Sequence, residues 1–167
     1  MFRIAPETPD DTYEVELLFD LAFAPGRTAL SSYRLREGVA PLARLSCVIR
    51  DDYDALAGAV RFWPVRVGGV PSLLLGPIAI HPVRQGEGLG ALLMSESLAR
   101  AKDEGWTRVL LVGDLPYYKR YGFQKIDAIF PPPTNPERVL GLALTEGALD
   151  GLTGVVTRWT DAQGADS

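Results

Sequence analysis

Three glycines lie close together in residues 85–90, which read QGEGLG. The residues that follow, up to residue 104, have the hydrophobic periodicity of a helix. Glycines at the start of a helix leave backbone N–H groups uncovered, and the positive end of the helix dipole points the same way. This segment therefore predicts a cradle for an anionic group.

An apolar segment, Val70–Ile80, precedes the glycines and predicts a strand that is buried on both faces. Gly76 and Pro77 interrupt this strand. Because proline cannot donate a hydrogen bond to a neighbouring strand, we expect a bulge or a splayed edge near Pro77. The anion cradle would then lie between an irregular buried strand and a helix.

The predicted helix at residues 88–104 is amphipathic, and a second buried strand follows it at residues 107–112. Glu96 and Arg100 are spaced as an i,i+4 ion pair on its polar side. Its apolar side is expected to contain Ala91, Met94, Leu98 and Ala101.

Hydrophobic patterning predicts that further strands extend this pair into one sheet. Strands are expected at residues 2–5, 44–50, 55–67, 123–126 and 139–144, the last of these being the final strand. Helices are expected around residues 15–22, where Pro25 and Gly26 end the pattern, at residues 31–37, and for at most two turns at residues 115–121. Short turns at residues 51–54 and 68–69 predict three consecutive antiparallel strands between residues 44 and 80.

The length of 167 residues, with 47% hydrophobic and 23% charged residues, is typical of one globular domain. We expect this domain to span residues 1–160 and the small, polar residues 161–167 to form a disordered tail. A core of this size needs neither disulfides nor a structural metal. Cys47 and His81 are the single cysteine and the single histidine, which excludes an intramolecular disulfide and the usual four-ligand zinc site.

Charge and hydropathy count against two classes of partner. The 17 Lys and Arg residues and 21 Asp and Glu residues give a net charge of −4, which argues against broad contact with a nucleic-acid backbone. No segment approaches the ~18 apolar residues of a membrane span, and the N-terminus lacks a basic region followed by a long apolar stretch. We therefore expect a cytoplasmic protein with no nucleic-acid, membrane or metal partner.

The glycines also fit a dinucleotide-binding motif, G-x-G-x-x-A, through Gly86, Gly88 and Ala91. Asp114 ends the next predicted strand, about where an acidic residue would bind a ribose. In that fold, however, the glycines directly follow the strand, whereas residues 81–85 intervene here. Too few residues follow Asp114 for the further strand–helix units of such a sheet. A dinucleotide-binding protein is therefore the weaker alternative.

A tyrosine-rich segment, residues 117–123 (YYKRYGF), follows the second predicted buried strand. The order of strand, H-P-x-x-Q-G-x-G-x-G, helix, strand and this segment resembles the GNAT superfamily of acyl-CoA-dependent N-acetyltransferases. The residues that match its Q/R-x-x-G-x-G/A motif are Gln85, Gly88 and Gly90. Those that match its Y-x-x-x-G-F element are Tyr118, Gly122 and Phe123. The motifs cover residues 70–123, and the order of elements extends the resemblance over nearly the whole chain.

The resemblance implies an α/β fold with a mixed, largely antiparallel central sheet flanked by helices. The sheet would be splayed between its fourth and fifth strands, here Val70–Ile80 and residues 107–112. Gly113-Asp114 followed by Tyr117-Tyr118 makes the chain similar to a bacterial subgroup of mostly predicted acetyltransferases. Relatives often form dimers, so a homodimer is one expectation.

The resemblance also implies that acetyl-CoA is the cosubstrate. The backbone amides of the glycine segment would bind the CoA diphosphate, through Gln85, Gly86, Gly88, Gly90 and Ala91. The main chain of Ile78 and Ile80 would bind the pantetheine arm, and a backbone N–H there would polarise the thioester carbonyl. Tyr118 would donate a proton to the departing thiolate.

The reaction implied by the resemblance is transfer of an acetyl group to a primary amine of a small molecule or peptide. The amine would attack the thioester directly, without a covalent enzyme intermediate. A catalytically silent acyl-CoA-binding sensor or interaction module is the alternative.

Several candidate residues also have a purely structural interpretation. Tyr118 could pack among neighbouring aromatic side chains. His81 precedes Pro82 at a strand end, where we favour a structural role over a catalytic one. Cys47, on a predicted strand, is expected to be a small buried hydrophobe. Asp114 is expected to cap the short helix that follows it.

The sequence does not identify a general base. An acceptor amine must lose a proton before it attacks, and many GNAT relatives place a glutamate on the fourth strand or its neighbour for this purpose. Residues 55–86 contain no Asp or Glu. Glu37, Asp114 or a chain of water molecules remain as alternatives.

Arginines outnumber acidic residues between residues 21 and 50, a region that caps the acceptor site in the family. The arginines are Arg27, Arg34, Arg36, Arg44 and Arg50, and the one acidic residue is Glu37. We favour a solvated charged face as the interpretation, with an acceptor that carries a carboxylate as the alternative.

Overall fold

Apolar runs and polar turns alternate along the chain and form the strands and helices of a mixed fold. The computed structural model describes residues 1–23 and 31–160. Its strands are β1 (Arg3–Pro6), β2 (Cys47–Arg50), β3 (Leu56–Val67), β4 (Val70–Ile80), β5 (Arg108–Val112), β6 (Gln124–Lys125), β7 (Asp127–Ile129), β8 (Val139–Ala143) and β9 (Thr153–Arg158). Its α-helices are α1 (Thr12–Phe23), α2 (Leu89–Asp103) and α3 (Leu115–Tyr118). Short 3-10 helices lie at Pro9–Asp11, Ser31–Leu35, Pro82–Arg84, Lys119–Tyr121 and Pro136–Arg138.

The main sheet has the strand order β1-β2-β3-β4-β5-β8-β6. β2, β3 and β4 follow one another through short turns and are antiparallel, as expected. β4 and β5 are parallel, and α2 supplies the crossover that a parallel connection needs. β9 runs antiparallel to β3 at residues 65–67 and parallel to β7. The prediction of a mixed, largely antiparallel sheet is confirmed.

Helices cover both faces of the central strands. On one face, α2 contributes Leu93 and Met94 to a buried cluster that also contains residues of β3, β4 and β5. On the other face, α1 contributes Val15, Leu18 and Phe19 to a second buried cluster. Because β4 is covered on both sides, its sequence is nearly continuously apolar.

β4 changes its pairing half-way along its length. The register with β3 shifts between Leu75 and Ile78, so that residues 76–77 together lie opposite Arg61. Pairing with β5 ends at Leu74. β4 and β5 then diverge and leave a gap between them. The bulge expected at the proline and the splay expected between the fourth and fifth strands are both confirmed.

The structure corrects several element boundaries. The strand expected at residues 44–50 begins at Cys47, because residues 43–45 form a turn. The helix expected at residues 31–37 is the shorter 3-10 helix Ser31–Leu35. The strand expected at residues 139–144 is not the final one, since β9 follows it. Only Val156 is fully buried in β9, so its sequence lacks a strong alternating pattern.

The buried face of α2 contains Met94 and Ala101 as predicted, and Leu98 is partly buried against the same core, but Ala91 was predicted wrongly. The buried residues of α2 are Leu89, Leu93, Met94, Ser97 and Ala101. Ala91 is exposed beside the glycine segment and does not belong to the core. The expected pair of Glu96 and Arg100 is present, with 3.5 Å between Oε1 and Nε.

Among residues 1–23 and 31–160, no α-helix has both the length and the apolar character needed to cross a bilayer. The predicted helix end at residues 25–26 and the predicted disordered tail at residues 161–167 lie outside the described residues.

Candidate active site

The glycine segment forms an open turn at the N-terminus of α2. Gly86 and Gly88 have φ angles of +85° and +78°, which side chains with a Cβ rarely adopt. Within the described residues, no atom outside the glycine and its two chain neighbours lies within 4 Å of the position that a Cβ would take at either glycine. The backbone is therefore bare on its outer side. We call residues 85–91 the cradle.

The first turn of α2 directs backbone amides into the cradle. The Leu92 N–H donates to the Gly88 carbonyl oxygen at 3.1 Å. The N–H groups of Leu89, Gly90 and Ala91 come before this bond and have no acceptor within the helix. α2 is 15 residues long, so its dipole adds partial positive charge at this end. This geometry can bind an anionic group.

The turn between β4 and the cradle is stabilised by two side chains. His81 Nδ1 accepts a hydrogen bond from the Val83 N–H at 3.2 Å. Gln85 Nε2 donates to the Ile80 carbonyl oxygen at 3.0 Å. His81 thus has the structural role favoured from the sequence. The Gln85 side chain therefore holds the loop, and the Gln85 N–H donates to the Pro82 carbonyl oxygen in a long bond of 3.4 Å.

An ion pair joins Arg84, the residue directly before the cradle, to the β2–β3 turn. Arg84 bonds the carboxylate of Asp51. The same carboxylate accepts hydrogen bonds from the Ala55 N–H at 3.0 Å and the Tyr53 N–H at 2.9 Å. The bond from Ala55, followed by those from Tyr53 and Arg84, holds the pKa of Asp51 below its ordinary value although partial burial opposes this. The Asp51 carboxylate therefore stays charged at neutral pH, and we call its ion pair with Arg84 the anchor.

Backbone groups of β4 point into the gap beside β5. The His81 N–H donates to the Ala57 carbonyl oxygen at 2.8 Å, on the β3 side. Because backbone groups alternate in direction along an antiparallel strand, those of Ile78 and Ile80 point away from β3. The Ile80 carbonyl is bound by Gln85. The Ile78 N–H and carbonyl and the Ile80 N–H face the gap, at a level where β4 no longer pairs with β5.

A continuous groove runs from the cradle through this gap. Its outer section is lined by Ile80, Gln85, Gly86, Gly88, Gly90 and Tyr117, among others. Its central section is lined by Ile78, Ile80, Gly90, Met94, Tyr117 and Tyr118, among others. It ends in an inner cavity of about 160 Å³ that is lined by Phe23, Arg36, Gly76, Ile78, Leu111 and Tyr118, among others. Neighbouring sections share lining residues, so the groove brings all eight predicted site residues together.

Tyr118 lies where the central section meets the inner cavity. Its ring packs edge-on against Tyr117 and Phe123, with centroid distances of 4.9 Å and 5.9 Å. Burial raises the pKa of Tyr118 above 10.0, and the neighbouring Tyr117 adds to the effect. The hydroxyl is therefore protonated at neutral pH and can donate a proton to a group in the gap.

Gly113 makes room for the Tyr118 ring. A Cβ at this position would lie 2.5 Å from Cε2 of Tyr118. The glycine that precedes Asp114 is thus required by the packing of the candidate acid.

Tyr117 and Tyr121 form a wall of the groove beside the cradle. Their hydroxyl oxygens lie 3.3 Å apart, and the Arg120 guanidinium lies 4.6 Å from the centre of the Tyr117 ring. Burial, together with the bond to Tyr117, raises the pKa of Tyr121 to about 12. These two side chains are paired with each other, whereas Tyr118 lines both the central section and the inner cavity.

Arg36 is a charged residue in the wall of the inner cavity. In the sequence it is only one of five arginines in its segment. Its side chain is 8% exposed. Its Nη2 and Nε donate to the Gly76 carbonyl oxygen at 2.7 Å and 3.2 Å. Its guanidinium carbon lies 4.3 Å from the ring centre of Tyr33 and 5.9 Å from that of Trp63. The signal available in the sequence was its place in an arginine-rich segment, which does not distinguish it from its neighbours.

The other arginines of that segment have different surroundings. Arg50 is also 8% exposed and forms ion pairs with two carboxylates. Arg44 forms an ion pair at the surface, Arg34 is exposed, and Arg27 lies outside the described residues. The solvated charged face favoured from the sequence is therefore wrong for Arg36 and Arg50.

Two further candidates have structural surroundings. Cys47 is buried, its Sγ lies 3.2 Å from the Leu45 carbonyl oxygen, and burial raises the pKa of its thiol. It is the small buried hydrophobe that was expected. Asp114 stands at the N-cap position of α3, but its side chain makes no capping hydrogen bond. The expected side-chain cap is therefore wrong, and the backbone alone begins the helix, with the Tyr118 N–H donating to the Asp114 carbonyl oxygen at 3.0 Å.

None of the carboxylates in the described residues lines the groove. Glu37 is exposed and lies 4.0 Å from a guanidinium nitrogen of Arg158. Of the three candidates for removing the proton of the amine, a chain of water molecules is the one that needs no carboxylate in the groove.

Comparison with known proteins identifies the family. Residues 43–125 match the family model of the acetyltransferase (GNAT) domain. The chain is 30% identical over 160 residues to the uncharacterized N-acetyltransferase YhbS of Escherichia coli K12, an alignment that covers 92% of this chain and 93% of that protein. The chain belongs to the GNAT family of N-acetyltransferases. The resemblance drawn from its two motifs is confirmed, and the dinucleotide-binding alternative is wrong.

Solved structures share the fold of this GNAT protein. The structure of Escherichia coli YhbS in complex with CoA superposes with a TM-score of 0.80 at 28% identity, covering 95% of this chain and 89% of that one. A GNAT family acetyltransferase from Brucella melitensis in complex with acetyl-CoA superposes with a TM-score of 0.71 at 28% identity, covering 97% of both chains. The splayed sheet of the GNAT protein is therefore the arrangement of its family.

Proposed function

We propose that this GNAT protein transfers the acetyl group of acetyl-CoA to a primary amine, by direct attack of the amine on the thioester. The observation that carries the proposal is the continuous groove that joins the bare amides of the cradle to Tyr118 through the gap between β4 and β5. The CoA and acetyl-CoA complexes of its two relatives support the same ligand here.

The cradle would bind the diphosphate of CoA. The backbone N–H groups of Gly86, Gly88, Gly90 and Ala91 are the binding groups, and the dipole of α2 favours the negative charge. The Gln85 N–H would join them by exchanging its 3.4 Å bond to the Pro82 carbonyl oxygen for one to the diphosphate. The open space at Gly86 and Gly88 lets the diphosphate approach the backbone closely.

The edge of β4 would bind the pantetheine arm as an added strand. The main-chain groups of Ile78 and the N–H of Ile80 supply hydrogen bonds, and their side chains need only be apolar. A backbone N–H of this strand would donate to the thioester carbonyl oxygen and stabilise the negative charge that develops there.

Tyr118 would act as the general acid. Acetyl-CoA supplies the acetyl group in activated form, as a thioester. The amine nitrogen bonds to the carbonyl carbon, the carbon–sulfur bond breaks, and the thiolate sulfur takes the proton of the Tyr118 hydroxyl. The surplus proton of the amine leaves through water, since the described groove offers no carboxylate. Tyr118 then regains a proton from solvent.

The inner cavity would hold the acceptor. Its volume is about 160 Å³. This space suits a small amine or the amino-bearing end of a peptide side chain.

Ligand-dependent thermal stability tests the binding half of the proposal. Acetyl-CoA and CoA should raise the melting temperature of the protein and NAD should not, because a ligand that binds the native state stabilises it. No shift with acetyl-CoA would contradict the proposal. Turnover with a panel of primary amines tests the chemical half, and a shift without any turnover would instead favour the catalytically silent acyl-CoA-binding module.

A further inference from the structure

Arg36 lies at the point where β4 leaves β5. Pairing of the two strands ends at Leu74, and the bulge at residues 76–77 follows at once. The Gly76 carbonyl at this bulge is bound by two nitrogens of the Arg36 guanidinium, 2.7 Å and 3.2 Å away. The arginine therefore binds the backbone at the start of the gap.

The position of the Arg36 guanidinium is set by its surroundings. It is buried, and it packs against the faces of Tyr33 and Trp63. A long side chain such as arginine loses conformational entropy when it is buried. Here the stacking on two rings and the hydrogen bonds to the Gly76 carbonyl hold the planar guanidinium in one orientation. The contact joins the 3-10 helix Ser31–Leu35, next to which Arg36 lies, to the centre of the sheet.

The backbone that Arg36 binds is continuous with the backbone that would bind acetyl-CoA. Ile78 lies two residues after Gly76, and the groups of Ile78 face the gap only because β4 does not pair with β5 at this level. A Gly76 carbonyl without its guanidinium partner is a buried acceptor that must find another donor. Movement of the bulge to reach one would change the direction of the Ile78 groups.

We propose that Arg36 is a positioning residue of the acetyltransferase, which binds the Gly76 carbonyl and thereby keeps the pantetheine-binding edge of β4 open and correctly oriented. The inference rests on the proposed function, because it concerns the same gap. Arg36 acts through the backbone of β4, and it has no part in the cradle.

Two ligands separate this role from a general effect on the fold. Acetyl-CoA would contact both the cradle and the β4 edge, whereas adenosine 3′-phosphate 5′-diphosphate, which is CoA without its pantetheine arm, would contact the cradle alone. In Arg36→Gln, the Kd for acetyl-CoA should rise by at least about tenfold and the Kd for the nucleotide by less than about twofold, measured by calorimetry. Arg36→Lys, which keeps a charged donor, should recover part of the loss.

Arg108 provides a matched control. Its guanidinium binds the carbonyl oxygens of Pro71, at the other end of β4, and of Ala148, at 2.6 Å and 2.9 Å. Arg108→Gln should lower the melting temperature but leave the ratio of the two Kd values within about twofold of that of the unsubstituted protein. An Arg36→Gln variant that weakens both ligands equally, or neither, would overturn the inference.

A second measurement applies if Arg36→Gln does not fold. Amide hydrogen exchange of Arg36→Lys should show that acetyl-CoA protects the Ile78 amide less than it does in the unsubstituted protein, and equal protection would overturn the inference. Unsubstituted protein that binds neither ligand would overturn the proposed function together with the inference. Unsubstituted protein that binds both, with unchanged binding in the Arg36 variants, would overturn the inference alone.

Discussion

The proposed chemistry depends on one hydroxyl group, that of Tyr118, whose side chain lines both the central section and the inner cavity. Replacing Tyr118 by Phe removes the proton donor and keeps the ring that packs on Phe123. We expect kcat to fall by about a hundredfold or more, and the Kd for acetyl-CoA to change by less than about twofold. Steady-state kinetics and calorimetry measure the two effects.

Tyr121→Phe is the control for this substitution, because the Tyr121 hydroxyl is paired with Tyr117 and Tyr121 is not among the residues that line the central section or the inner cavity. It should retain most of the activity. Equal turnover by the Tyr118→Phe variant and the unsubstituted enzyme would remove Tyr118 from the site.

The raised pKa of Tyr118 sets the pH range of its role. Burial disfavours the phenolate, so the pKa lies above 10.0 and the hydroxyl keeps its proton throughout the neutral range. Since only the protonated form can donate, kcat should be limited by Tyr118 only on the alkaline side, above pH 10.0. A pH profile of kcat checks this, and an alkaline limb that persists unchanged in Tyr118→Phe would assign the limb to another group.

At the level of elements, the proposed binding at the start of α2 depends on the backbone conformation of the cradle and not on its side chains. Gly88 and Gly105, at opposite ends of α2, both have positive φ, +78° and +94°, and both have open space at the Cβ position. Replacement by Ala should therefore cost each variant a similar amount of stability, about 1 kcal/mol. Only Gly88→Ala should also weaken acetyl-CoA binding, by about tenfold, because its methyl group would occupy the cradle.

Chemical denaturation and calorimetry on the two glycine variants measure both quantities. Similar acetyl-CoA affinities of Gly88→Ala and Gly105→Ala would show that the cradle does not bind the diphosphate.

The anchor between the β2–β3 turn and the cradle depends on pH. The pKa of Asp51 is lowered in the folded protein by its hydrogen bonds to Ala55, Tyr53 and Arg84. The carboxylate therefore contributes stability above its unfolded pKa of about 3.9, and this contribution is lost as the pH falls through the folded value. Asp51→Asn should be less stable than the unsubstituted protein at pH 7, and its free energy of unfolding should fall less between pH 5 and pH 2.

Asp10 is exposed and offers a comparison, since Asp10→Asn should leave the stability at pH 7 nearly unchanged. An acid dependence of Asp51→Asn equal to that of the unsubstituted protein would contradict the anchor.

At the scale of the whole molecule, β9 completes the sheet from the far end of the chain. It extends the edge of β3 at residues 65–67 and buries Val156, which is 2% exposed, whereas the adjacent Val155 is 54% exposed on the opposite face. Val156→Ala should lower the free energy of unfolding by about 2 kcal/mol. Val155→Ala should change it by less than about 0.5 kcal/mol.

Denaturant unfolding of the two valine variants tests the placement of β9. Equal effects at the two positions would mean that β9 is not packed on β3.

Features formed by residues near one another in the chain could be predicted from the sequence. The glycine turn, the helix that follows it and the bulge at Pro77 depend on backbone conformations and hydrogen bonds within a few residues, so the types of those residues suffice to predict them. The splay was predicted from the resemblance to the GNAT family, as was the role proposed for Tyr118.

The remaining features depend on contacts between distant segments, and the tertiary structure was needed to find them. Arg36 binds a carbonyl 40 positions along the chain, and β9 pairs with a strand that ends at Val67. The sequence does not distinguish the five arginines between residues 21 and 50 from one another. The packing of the sheet and helices places Arg36 beside the gap and Arg50 in an ion-pair cluster. Local residue types therefore determined the anion cradle, whereas the fold as a whole determined which charged side chain reaches the strand next to it.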